Sequence, residues 1–124
     1  MATFGSYGNL GGELVSVNEL NSSIPVPNGG TVSNVVFYTV PTGRYALITR
    51  IVNGDDSAPY NLTGVSFSVN TGTINNVPIS TTGLEMSLLL NEGDSITFSG
   101  SQPLFTGPTI NALIDSLIFE YRKP

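Results

Sequence analysis

From residue 31 to the C-terminus, turn signals recur about every ten residues, and no segment between them carries the 3.6-residue apolar period of a helix. Pro41-Thr42-Gly43 fixes one φ and then supplies a residue that tolerates positive φ. Asn53-Gly54-Asp55-Asp56 opens a loop, Asn91-Glu92-Gly93-Asp94 reads as a tight hairpin, and Pro103 and Pro108 bracket a longer loop. The segments between predict strands near 32–40, 44–53, 63–70, 73–79, 84–91, 94–99 and 110–121. So many short strands at this spacing predict an all-β chain, an antiparallel β-sandwich. The composition agrees. Gly, Ser, Thr and Asn supply 53 of the 124 residues and charged residues only 13, while a 40% apolar content is enough for a core and too much for a disordered chain.

Two kinds of strand emerge. In GVSFSVN, Val65, Phe67 and Val69 face one way and Ser66, Ser68 and Asn70 the other; in SITFSG, Ile96 and Phe98 oppose Ser95, Thr97 and Ser99. These have one dry and one wet face, as in an antiparallel sandwich. The stretch VVFYTVPTGRYALITRIV does not alternate in this way, nor does INALIDSLIFEY. Val35 and Phe37 oppose Val36, Tyr38 and Val40. Tyr45, Leu47 and Ile51 oppose Ile48 and Val52, and Leu113, Leu117 and Phe119 oppose Ile114 and Ile118. Three doubly apolar strands leave a face that something must cover, either the N-terminal segment or another subunit. Val36, Tyr38, Ile48, Val52, Ile114 and Ile118 are the residues expected at that covered face.

Residues 1–28 differ from the sandwich expected over 29–124. They hold four glycines in the first twelve positions, apolar side chains without a strand or helix period, and Pro25 and Pro27 at the exit. A short strand is expected at 13–17; the segment reads as an edge strand or as an extended arm that docks on a neighbour, with Phe4, Tyr7, Leu10 and Leu14 as its anchors. No basic n-region followed by an apolar stretch marks a signal peptide here.

The chemistry on offer is narrow. The chain has no histidine and no cysteine, which removes the usual general base, thiolate ligands and disulfides. Asp55-Asp56 and Glu92/Asp94 fall in turns that want such residues for backbone geometry, and Glu13, Glu19, Glu85, Asp115 and Glu120 are scattered. Asn53, Asp55 and Asp56 offer oxygens to a calcium ion, but their spacing follows no ordered calcium loop. No enzyme activity and no cofactor are expected. Four basic residues against a net charge of −5 leave little to neutralise phosphates, so no nucleic-acid partner is expected; no apolar run is of membrane-spanning length.

FYTVPTGRYALITRIVNGD, followed by LLLNEGDSITFSG and the closing INALIDSLIFEYR, resembles small β-sandwich proteins of tailed bacteriophage virions. The likeness covers residues 35 to 121 and rests mainly on turn-forming elements. It implies a jelly-roll-like fold with an extended N-terminal arm. It also implies a structural role on the capsid surface, as a cement or decoration protein that binds the major capsid protein as a homotrimer. In that setting the doubly apolar strands meet sister subunits, and the arm meets the shell or a neighbour. Two other readings stand beside it: a module of a tail fibre or receptor-binding part, and a lectin-like sandwich with Tyr60, Asn61 and Phe105 on its loops.

Overall fold

The computed structural model describes residues 12–55, 62–70, 77–80, 83–84, 87–102 and 109–124. Nine strands occupy them: β1 (Glu13–Val26), β2 (Thr31–Thr39), β3 (Arg44–Asp55), β4 (Thr63–Asn70), β5 (Val77–Ser80), β6 (Gly83–Leu84), β7 (Leu88–Leu90), β8 (Ser95–Ser101) and β9 (Ile110–Arg122). They form two antiparallel sheets. The first runs β1-β9-β3-β6, with β7 also paired to β3, and the second runs β2-β8-β4-β5. With β6 and β7 taken as one interrupted strand, successive strands change sheet at every step except β4 to β5, which is the winding of a jelly roll. Period-2 strands, each with an apolar inner face, build such a sandwich and bury those faces against each other.

Both tight turns have the geometry that their glycines allow. Gly43 (φ +81°) and Gly93 (φ +85°) take the third turn position, where an L side chain is strained, and close Arg44 N–H to Pro41 O and Asp94 N–H to Asn91 O. The turn at Asn91–Asp94 does not make the tight hairpin that its sequence suggests. Both turns carry the chain from one sheet to the other, and the two are tied together by Val40 N–H to Asp94 O and Gly93 N–H to Val40 O.

The core fills the space between the sheets. Ile48, Ile51, Ile114 and Ile118 of the first sheet pack on Phe67, Val69, Ile96 and Phe98 of the second, each no more than 5% exposed. Phe67 lies tilted against Phe98 at 5.9 Å and edge-on to Phe37 at 6.0 Å. Burying such side chains contributes roughly 1.5–3 kcal/mol each.

β1 is the largest departure from the sequence reading. It runs 14 residues rather than the few expected at 13–17, and it pairs with β9 along its whole length. Its inward positions, Leu20, Ser22, Ile24 and Val26, alternate with Asn21, Ser23 and Pro25. Pro25 is tolerated because β1 is an edge strand. Residues 13–26 are therefore part of the first sheet.

Candidate functional site: the outer face of the first sheet

Two strands of the first sheet, β9 and β3, decide where its apolar residues point. In β9 even-numbered residues face the core and odd-numbered ones face away, as the burial alternation from Ile110 to Glu120 shows. In β3 the register shifts between Ile48 and Arg50, a β-bulge. A one-residue shift flips every later side chain. Ala46, Ile48 and Ile51 therefore all point inward, and Tyr45, Leu47, Arg50 and Val52 point outward.

The strand register then lines up an apolar row across four strands: Val17 opposite Phe119, Phe119 opposite Leu47, and Leu47 opposite Leu89. One step along, Leu14 faces Tyr121, which faces Tyr45. The two tyrosine rings stack in parallel at 5.2 Å and 8°. Tyr45, Leu47 and Tyr121 are buried although they point away from the core, and Leu14 and Phe119 pack beside them. On the same face Val17, Val52, Leu89 and Leu113 stay 38–50% exposed. Beyond the tyrosines the face ends in a depression of about 410 Å³ lined by Asn21, Ser23, Val52, Leu113 and Asp115. Arg50 crosses to Asp115 at 3.4 Å, the nearest charge pair to it.

This face corrects the residues expected at a subunit contact. Ile48, Ile114 and Ile118 lie in the core at no more than 1% exposure, so they are unavailable to a partner. Both faces of their strands are apolar, and alternation alone does not say which is inside. Val52 does lie on the outer face; the bulge separates it from Ile48. Val36 is 51% exposed, but on the outer side of the second sheet, opposite Thr97. Tyr38 turns inward at the end of the sandwich. Leu14 belongs to β1 and to the tyrosine cluster. Phe4, Tyr7 and Leu10 lie outside the described residues, as do Asp56, Tyr60, Asn61, Glu85 and Phe105.

Tyr38 ends in a polar knot that the sequence reading missed. The Glu120 carboxylate, almost fully buried, accepts hydrogen bonds from Tyr38 Oη (2.6 Å), Arg44 Nη1 (2.6 Å) and Ser16 Oγ (3.2 Å). Burial pushes the carboxyl pKa up, but these bonds and the Arg44 charge outweigh it and hold the pKa below the usual carboxylate value. Tyr38 is shifted strongly upward, by burial first and then by the Glu120 bond and charge. Because Tyr38 comes from the second sheet and Glu120 from the first, the knot clamps the sheets together. One signal was present: Glu120 continues the inward parity of Ile114 and Ile118, so it had to be buried and paired. Among the described residues no three carboxylates converge as a metal site would require.

Compared with protein families, with curated proteins and with solved structures, the chain gives no match in any of the three.

Proposed function

We propose that this protein is a structural component of a tailed-bacteriophage particle, a cement or decoration protein that binds the capsid shell as a homotrimer. The observation that carries the reading is the apolar outer face of the first sheet. Three inter-strand gaps of about 4.8 Å and about thirteen residues at about 3.3 Å give a face of roughly 600 Å². Tyr45, Leu47 and Tyr121 are already buried, so only the part at Val17, Val52, Leu89 and Leu113 is open to a partner, less than the about 800 Å² that each side brings to a standard stable interface. The exposed end of the face, at Val52 and Leu113, is the part assigned to a sister subunit. The jelly-roll order is one that viral shell proteins share with lectins, a fold-level analogy in support.

A tail or glycan-binding module is the second reading. It is favoured by the partly exposed hydroxyls of Ser66, Ser99 and Ser101 on the outer side of the second sheet; Ser68, Ser95 and Thr97 beside them are buried and unavailable to a ligand. Electrophoresis of purified tailless heads and whole particles tests the two. A shell protein is expected in hundreds of copies per particle and on tailless heads; loss of the band with the tails would overturn that assignment.

A further inference from the structure

The first sheet ends in a long, regular edge. Of the other strands at sheet edges, β5, β6 and β7 are four, two and three residues long. β2 is interrupted by two register shifts and by Asn34 at φ +54°. Short or bulged edges are the usual defence against pairing with another chain. β1 lacks both defences. It is 14 residues long, its one register shift lies at Leu14–Ser16, and from Val17 to Val26 it keeps step with β9 without interruption.

Pro25 shows which backbone groups this edge offers. It has no N–H, and it lies inside the β1–β9 ladder opposite Asn111. Proline fits a ladder where its missing N–H would point away from the neighbouring strand. Residues of the same parity share that direction, so Val17, Glu19, Asn21 and Ser23 turn their N–H and C=O groups to the free edge. Their side chains and that of Pro25 are all exposed. Among the described residues no other strand pairs with β1 on that side.

These positions complement themselves. An antiparallel copy of β1, turned about a two-fold axis at Asn21, sets Asn21 opposite Asn21 of the second copy, Glu19 opposite Ser23 and Val17 opposite Pro25. Amide meets amide, the carboxylate meets a hydroxyl donor, and the two apolar side chains meet each other. Like charges directly opposite are destabilising, which disfavours a register centred on Glu19. In the register centred on Asn21 every outward N–H and C=O of Glu19, Asn21 and Ser23 gains a partner. Pro25 ends the ladder by accepting from Val17 N–H.

We propose that β1 pairs edge to edge with β1 of a second copy about this two-fold axis, joining two first sheets into one continuous sheet. Such a contact is isologous, with the same residues on both sides. Nine residues at about 3.4 Å and an edge about 10 Å deep bring together roughly 300 Å² from each copy. That is well below a standard stable interface, so the pair is weak and is best trapped covalently. The contact leaves Val52 and Leu113 open, so it is separate from the sister-subunit contact and does not depend on the virion reading.

The absence of cysteine makes the test direct. In this register the two copies of residue 21 are directly opposed, with Cα atoms about 5.5 Å apart, within reach of a disulfide. The two copies of residue 23 stand four residues out of step, roughly 13 Å apart along the strand, and so do the two copies of residue 19. Asn21→Cys, Glu19→Cys and Ser23→Cys are each oxidised as the full chain, and dimer formation is followed by non-reducing electrophoresis. Asn21→Cys is expected to cross-link at least tenfold faster than either of the others alone. An equimolar mixture of Glu19→Cys and Ser23→Cys is expected to give the mixed dimer at least tenfold faster than either variant links to itself. Equal rates at the three positions, no cross-link at any of them, fastest self-linking at residue 19 or 23, or an unreactive mixture overturns the pairing. No substitution touches the core or the Val52–Leu113 end, so the result stands apart from the trimer and the capsid assignment.

Discussion

Replacing Tyr38 by Phe removes one hydroxyl and leaves the ring, so the loss reports the bond that ties the two sheets at Glu120. The bond is 2.6 Å long, and its acceptor is an ionised carboxylate whose side chain is 6% exposed. Hydrogen bonds to charged groups contribute roughly 1.5–3 kcal/mol. The lower half of that range applies, because Arg44 and Ser16 still hold Glu120 in the variant and the Arg44 side chain is 40% exposed. About 2 kcal/mol is expected. With a urea slope of about 1.5 kcal/mol/M for a domain of this size, the midpoint should fall by roughly 1.3 M with no change in slope. The measurement is equilibrium urea unfolding at pH 7, followed by circular dichroism. It is repeated in an Arg44→Ala background, where the Tyr38 bond is the main support left to the carboxylate and its loss should cost more. A midpoint shift below about 0.3 M in both backgrounds would refute the clamp: the carboxylate would then be satisfied without the second sheet.

Stability should also fall at both ends of the pH range. The lowered Glu120 pKa means that its contribution is complete above the ordinary value of 4.5 and is lost as pH drops through the folded-state value. The raised Tyr38 pKa keeps stability intact below 10.0 and erodes it above; unfolding midpoints across pH 2–11 check both slopes, and Tyr38→Phe should flatten the alkaline one. Leu113→Asp should leave the domain folded but weaken the proposed trimer at least tenfold by sedimentation, whereas Ile48→Asp places a charge in the core and should unfold the chain. Ile114→Ala should cost about 2–5 kcal/mol by cavity formation, read from the urea midpoint. Gly43→Ala meets no atom within 4 Å, so only its φ of +81° is penalised, and a loss of about 1 kcal/mol is expected.

Much of the architecture was legible because strand period and turn chemistry are local. The strands expected at 32–40, 63–70 and 110–121 match β2, β4 and β9 within a residue or two. The inward set Val65, Phe67 and Val69 was readable because Ser66 and Ser68 mark the other side, but that side is not the wet face expected: Ser68, Ser95 and Thr97 on it are no more than 9% exposed. Orientation failed where no polar residue marks a side. Ile48 and Leu47 are equally apolar, and a bulge at Thr49, with no Gly or Pro to announce it, moves Ile51 to the inner set and Val52 to the outer. β2 carries two further register shifts, one beside Asn34 at φ +54°, which break its alternation in the same way. β1 was underread because Asn18, Ser22 and Ser23 dilute its apolar pattern, while Leu20, Ile24 and Val26 do alternate inward. The pairing partner of Glu120 was out of reach of any local pattern: Tyr38 is 82 residues away.

The position of β9 also dictates how the first sheet can be completed. The latest of the described strands along the chain is a central one, held between β1 and β3, and Glu13 pairs with Arg122 across 109 residues. Without β9, β1 and β3 have no common neighbour, and β3 keeps only its short pairings with β6 and β7. Closing the sheet therefore depends on distant pairings, the class that folds in milliseconds to seconds rather than microseconds. Until they form, the apolar strand Arg44–Asp55 stands without its main partner, so a chain lacking β9 should aggregate rather than fold in part.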